Sequence, residues 1–322
     1  MRVIAPSNDV FSIGKVLSKF SLDNESTLWA EAWLREVFLF QNSGYITKIA
    51  DSKKFDYVIN TTNTIPIKCD LWWIQGVSAS TAMESMAFRK NWQRAFARMI
   101  ELGLRTPSIN IINRLNSKSD LRVANSNYIK NYYHNIGIAV DGVVHSFPDV
   151  SSFKKEDTRT GEKYVFGYVG KETEVDTLLR LTGENIKLIT FGQKNVPGVS
   201  DKLTNKKINF LGRVTHEQLN SLYSSAQFTV FPFTNEPLGA IPIESMACGT
   251  PVLTYNKQGP SETVINEETG WLANDAEEFV EIGIKLWKGF DREKFSKNSI
   301  RRASQFTPDR QATKIIEFLM NS

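Results

Sequence analysis

Short runs rich in β-branched and aromatic residues alternate with helical patterns along this chain, in two successive series. Parallel strands need a crossover of a dozen residues or more between them, so this alternation predicts an α/β chain with helix-covered parallel sheets. In the first series the strand candidates are Arg2–Ala5, Tyr45–Ile49, Tyr57–Asn60, Leu71–Ile74, Ile109–Ile112 and Leu121–Ala124. Helical patterns over Thr27–Phe40 and Thr81–Leu102 lie between them. The second series runs YVFGYVG from Tyr164, then IKLITFG, INFLGRV, FTVFPF, PVLTY and WLAN. Its helix starts are marked: Thr215 with Gln218 and Asp275 with Glu278 have capping-box spacing, and Thr307 precedes a proline suited to the first helical position.

The polar stretch Ser151–Gly161 separates the series and reads as a linker. A length of 322 residues suits two domains of roughly 150 each. The expected division is a Rossmann-like domain over 1–155, a second over 156–305, and a helix over 306–322 packing back toward the first. Such sheets bind ligands beyond the carboxyl ends of their strands, so two facing units enclose a cleft. Met1 to Phe20 lacks a secretory h-region, and no apolar run approaches the ~20 residues of a membrane span. Cys69 and Cys248 form neither a disulfide framework nor a metal motif, so a reducing cytoplasmic setting is expected.

The chemistry concentrates in Phe231 to Thr263, FPFTNEPLGAIPIESMACGTPVLTYNKQGPSET. A strand ends at Phe233, a loop carries Glu236, and a helix starts near Leu238 and stops at Gly249. A helix N-terminus offers free N–H groups and a partial positive charge, a site for an anion such as a diphosphate. Gly239 lets phosphate oxygens approach the backbone. Glu236 sits where a carboxylate faces the ligand. Glu244, in the second turn roughly 9 Å further along, suits a ribose diol. A sugar–diphosphate–nucleoside has its parts in that order.

This segment resembles the signature of retaining family-4 glycosyltransferases (glycosyl transferases group 1), in which two glutamates are separated by seven residues. Here they are Glu236 and Glu244 in EPLGAIPIE, followed by SMACGTPV and QGPSETV. The resemblance is good over Ile208 to Asn274 and weaker back through YVFGYVG, AVDGVVHSF and LRVANSNYIKNYY. It implies the GT-B fold, two Rossmann-like domains facing a cleft. It implies transfer of a sugar from a nucleoside-diphosphate sugar to a glycan, lipid-linked or protein acceptor, with retention and without a cofactor or metal. By the same resemblance Glu236 meets the donor sugar at its anomeric carbon, and Lys171 meets the diphosphate. The N–H groups of Leu238, Gly239 and Ala240 hold the sugar or diphosphate, Glu244 the ribose, and Arg213 and Val214 the nucleobase.

The chain departs from that pattern in two places. Where the family places an arginine and then a lysine, GKETEVD offers Lys171 alone, and the next base is Arg180. Where many relatives carry a histidine after the fourth strand, LWWIQG carries Gln75. Gln75 and Gly14 are the acceptor-side candidates; a plain turn or cap role competes for Gly14. Trp72 and Trp73 read as core, and Cys248 and Gly249 as a buried thiol and a helix stop.

Charge adds one feature. Residues 1–155 hold 19 Lys/Arg against 13 Asp/Glu, with the excess between Phe88 and Arg122. Lys90, Arg94 and Arg98 fall on one helical face opposite Phe88, Trp92 and Phe96. The plain reading is an amphipathic core helix; the functional one is weak peripheral contact with an anionic membrane at its inner face. A net charge of +4 gives nucleic-acid binding little support. No G-x-G-x-x-G follows the first strand, which argues against a dinucleotide oxidoreductase. A catalytically impaired GT-B subunit that binds nucleotide sugar is the alternative that the lone lysine keeps open.

Overall fold

The computed structural model describes residues 55–77, 106, 108–156, 162–170, 172–192 and 208–321. Gly14, Lys171, Lys90, Arg94, Arg98, the strand candidates Arg2–Ala5 and Tyr45–Ile49, and both helical patterns of the first series lie outside these residues.

Two parallel sheets are present among the described residues. The first contains β1 (Ile59–Asn60), β2 (Cys69–Ile74), β3 (Ser119–Ala124) and β4 (Gly142–Val143), in that order. The second contains β5 (Val165–Val169), β6 (Leu188–Gly192), β7 (Ile208–Phe210), β8 (Thr229–Phe231), β9 (Val252–Tyr255) and β10 (Gly270–Ala273). Its order is β10-β9-β8-β5-β6-β7 and every pairing is parallel. Strand order reverses between β5 and β8, which makes their carboxyl ends the rim of the ligand crevice.

The central strands β5, β8 and β9 of the second sheet are buried on both faces, and their side chains sort by the period of two. Val165, Val169, Val230, Leu253 and Tyr255 point to one core, shared with Leu178, Leu181, Phe279 and Leu286. Phe166, Phe231 and Val252 point to the other, shared with Tyr223, Ile243 and Met246. The helices supplying these partners are α2 (Val175–Leu181), α3 (His216–Ser225), α4 (Ala240–Ala247) and α6 (Ala276–Lys288), with α1 (Asn127–Asn135) behind the first sheet. The short α5 (Pro260–Thr263), α7 (Arg292–Ala303) and α8 (Pro308–Met320) complete the described helices with complete bounds.

Ile315 and Leu319, one turn apart on α8, share a cluster with Leu71, Val123 and Val144 of the first sheet. A Cβ on Gly142 would sit 2.1 Å from the Phe318 ring, so β4 accepts this helix because that position is glycine.

The structure corrects several sequence-level expectations. Ile109–Ile112, read as a strand, is part of a helical run over 108–117. Ile112 and Leu115 are buried while Ile109 is exposed, so spacing by three overrides the β-propensity of an isoleucine run. The proposed linker Ser151–Gly161 is fastened at its start. Phe153 is buried against the His216 and Tyr223 rings, and the amides of Lys154 and Glu156 donate to Asn220 and Ser224 of α3. A polar composition concealed one anchoring aromatic. The capping box at Thr215 forms in full, whereas Glu278 takes the amide of Asn274 and Asp275 caps α6 alone.

Candidate functional site

The site lies at the carboxyl ends of β5 and β8. Two short segments are zipped together across the switch point: Thr234 N donates to Glu172 O at 2.7 Å and Glu174 N to Pro232 O at 2.9 Å. Thr173 forms an antiparallel bridge with Phe233. The chain then turns through Asn235, whose positive φ is one that asparagine adopts more readily than most residues, and presents Glu236. The Glu236 backbone is held from both sides. Its N–H donates to Gln258 Oε1 at 3.0 Å, and its carbonyl accepts from Gly259 N at 3.0 Å.

The α4 helix begins two residues later than its sequence suggested, at Ala240, because Gly239 adopts φ +92° and serves as its N-cap. Glycine offers no side-chain cap, and Glu236 supplies one: its Oε1 accepts from Gly239 N at 3.0 Å and from Leu238 N at 3.4 Å. A carboxylate at a helix N-terminus is stabilised by the partial charge there. Glu236 therefore occupies two of the amides that the resemblance gives to the donor. A Cβ at Gly239 would lie 3.0 Å from Pro260 Cγ and 3.3 Å from Pro242 Cγ, so the turn is closed by two proline rings.

Glu244 lies in the second turn of α4, and its Oε2 accepts from the Tyr223 hydroxyl at 3.4 Å. Burial pushes its carboxyl up to about 7, against the opposing hydrogen bond from Tyr223. Half-buried as it is, this carboxyl would favour its charged form only with further hydrogen-bond donors. Tyr223 was not singled out from sequence; its ring is buried in the core, and its polar end is what reaches the site. Tyr168 was likewise missed. Burial, then the carboxylates of Glu172 and Glu236, push its hydroxyl up to about 12, so it stays protonated as a donor beside them.

Arg213 and Val214 line an open hollow of about 400 Å³ beyond β7, together with Leu211, Gln218, Ser221 and Leu222. The Arg213 side chain is exposed and Val214 half-buried, giving an apolar floor with a cationic edge. Lys171 lies between Gly170 and Glu172, which stand at the end of β5. Arg180 is exposed in the last turn of α2, the end remote from the crevice.

Across the cleft, Gln75 follows β2. Its Oε1 accepts from Ser146 Oγ at 2.6 Å and its carbonyl from Asn125 Nδ2 at 2.9 Å. A Cβ on the adjacent Gly76 would be 3.8 Å from Pro237 Cγ, so the ends of β2 and β8 face each other. Trp72 and Cys248 are fully buried, and Gly249 ends α4 with φ +72°. Among the described residues no group of three or more His, Cys, Asp or Glu is arranged to hold a metal ion. No helix among them is long and apolar enough to cross a membrane.

Residues 158–302 match the family described as glycosyl transferases group 1. The alpha-1,3/1,6-mannosyltransferase alg-2 of Neurospora crassa is 31% identical over 140 residues, 42% of this chain and 30% of that protein. The capsular polysaccharide biosynthesis glycosyltransferase CapM of Staphylococcus aureus is 28% identical over 158 residues, 42% of this chain and 41% of that protein. These matches span less than half of either relative. Among solved structures, HepE of Anabaena in complex with UDP and glucose superposes with a TM-score of 0.66 at 14% identity, covering 87% of this chain and 81% of that one. Sucrose-phosphate synthase of Thermosynechococcus elongatus superposes at 0.61 with 19% identity, covering 78% and 67%. At such identities the likeness establishes the fold, which is GT-B.

Proposed function

From the premise that residues 158–302 form a glycosyl transferases group 1 domain on a GT-B frame, we propose that this chain transfers a sugar from a nucleoside-diphosphate sugar to an acceptor, with retention and without a metal. The observation that carries the proposal is the placement of Glu236 and Glu244 on either side of the first turn of α4, at the carboxyl end of β8.

In this reading the nucleobase rests on Val214 beside Arg213, and the ribose diol donates to Glu244. The diphosphate lies over the N-terminus of α4 near Leu238, Gly239 and Ala240, with Lys171 beside it. The phosphate exchanges with the Glu236 carboxylate for the amides of Leu238 and Gly239, and Glu236 turns to the sugar. There its negative charge stabilises the cation that develops at the anomeric carbon. The bond from that carbon to the phosphate oxygen breaks as a bond to the acceptor oxygen forms on the same face. The acceptor proton passes to the leaving phosphate, so no protein base is required. In this reading Gln75 stands on the acceptor side; Gly14, the other acceptor-side candidate, lies outside the described residues.

A thermal-shift panel of UDP, GDP, ADP and their sugar conjugates tests the donor class. A ligand that binds the folded state alone at about 100 times its Kd adds ~2.7 kcal/mol of stability. At least one family of conjugates is expected to raise the melting temperature; a flat panel contradicts the proposal. Weak peripheral contact with an anionic membrane through Lys90, Arg94 and Arg98 belongs to the same proposal. Cosedimentation with neutral and anionic vesicles tests it: loss of any anionic preference at low salt argues for a soluble acceptor.

A further inference from the structure

Beside the packing of α8 on the first sheet, Glu262 makes a polar contact between the second domain and the first. It sits in α5, and its carboxylate reaches the N-terminus of α1. Oε2 accepts from Asn127 N and Asn127 Nδ2, both at 2.8 Å, and Oε1 accepts from Tyr128 N at 2.8 Å. The same Oε2 lies 3.3 Å from His145 Nε2. The N-cap Ser126 satisfies the amide of Ile129 within its own helix, so the two preceding donors of α1 are left to a carboxylate from the other domain. Burial works against the charge on Glu262. The His145 ring and the amides of Asn127 and Tyr128 outweigh it and hold the carboxyl below its ordinary range.

The grip is stiffly connected to the donor side. The Arg302 guanidinium donates to the carbonyls of Glu262 and Thr263 at 2.6 and 2.9 Å, pinning α5 against α7. Gln258 and Gly259, one turn before Glu262, hold the backbone of Glu236 from both sides. A Cβ at Gly259 would fall 2.1 Å from Pro237 O, so this packing is in direct backbone contact. On the other side α1 follows Asn125, whose amide holds the Gln75 carbonyl. One continuous path thus runs from Glu236 through α5 to the loop edge that carries Gln75.

We propose that Glu262 is a positioning residue that latches the two domains at a fixed separation and so sets the distance between the acceptor side of the cleft and Glu236. The proposal rests on the transferase reading for its consequence, but the latch itself is a statement about geometry. Charge-assisted hydrogen bonds are the strong kind, and several converge on one carboxylate here. Losing the charge shifts the balance toward an open cleft. Nucleotide binding, confined to the second domain, is left intact.

The test uses the full chain carrying spin labels at Asn131→Cys and Lys297→Cys, one on each domain; both native cysteines are buried. Interdomain distances are recorded for this parent, Glu262→Gln and Asn127→Ala. The expected result is a narrow distribution in the parent, a longer or broader one in Glu262→Gln, and an intermediate one in Asn127→Ala, which alters the partner without touching the second domain. In parallel, calorimetry with UDP, GDP and ADP should give Kd values within about twofold of the parent, while turnover of the bound sugar conjugate falls roughly tenfold or more, the scale of one lost charged hydrogen bond. Unchanged distances in both variants overturn the latch, as does a nucleotide affinity that falls in step with turnover. A parent that binds no nucleoside diphosphate overturns the donor reading instead, and the distance measurement still decides the latch.

Discussion

Glu236 Oε1 stands 3.0 Å from the amide nitrogen of Gly239, so the first glutamate of the pair closes the positive end of the helix that carries the second. The residue assigned to the donor sugar is thereby also a helix cap, and the two roles are separable by substitution.

Glu236→Gln keeps a carbonyl oxygen for Gly239 N and loses the charge. Its effect on stability should stay within about 1 kcal/mol, the scale of a cap or dipole contact. Turnover should fall by ~10²–10³, the usual cost of removing one preorganised electrostatic contact. Wild-type turnover in the variant removes Glu236 from the mechanism; melting curves check that the fold is kept.

Gly239→Ala places a methyl 3.0 Å from Pro260 and 3.3 Å from Pro242, at a backbone φ of +92°. Strain of this kind costs about 1–3 kcal/mol. Denaturant unfolding should show that loss, and diphosphate binding should weaken because the first turn of α4 shifts. An unperturbed midpoint contradicts the geometry assigned to this turn.

Turnover should survive excess EDTA, because the account gives the leaving diphosphate to the positive end of α4 and to Lys171. Abolition by EDTA with restoration by Mg²⁺ or Mn²⁺ counts against that assignment.

The second domain was legible in the sequence because its determinants are local. All six strand runs from YVFGYVG to WLAN contain a strand, and Thr215, Asp275, Gly239 and Gly249 mark turns that the backbone makes. The glutamate pair was visible for the same reason, since a strand, a loop and a helix in sequence order fix both residues. What stayed hidden depends on contacts between distant segments. Ile109–Ile112 has strand composition but packs through Ile112 and Leu115 as helix, and Phe153 anchors a stretch that reads as linker. Tyr223 and Glu262 reach the site or the other domain by side-chain direction, which spacing along one chain does not reveal.

The pH dependence of nucleotide binding follows from Glu244. Its carboxyl is pushed up to about 7 by burial, above the ordinary 4.5. In the free protein this contributes stability below about pH 4.5 that is lost as pH rises toward 7. A ribose diol donates hydrogen bonds and favours the ionised form, so nucleotide binding should release a proton. Affinity should therefore rise with pH through the range near 6 to 7, by at most about tenfold per unit, and level off above it. Calorimetry in buffers of different ionisation enthalpy reads the proton directly; uptake in place of release contradicts the assignment.

The central claim is that Glu244 holds the ribose of a nucleotide donor at the second turn of α4. It is tested most directly by titrating the parent and Glu244→Ala with the nucleoside diphosphate that stabilises the parent. A carboxylate accepting from neutral hydroxyls contributes ~1.5–3 kcal/mol, so the account predicts that the substitution weakens binding by roughly 10- to 150-fold. Equal affinity in the two proteins, with the fold intact, would contradict it.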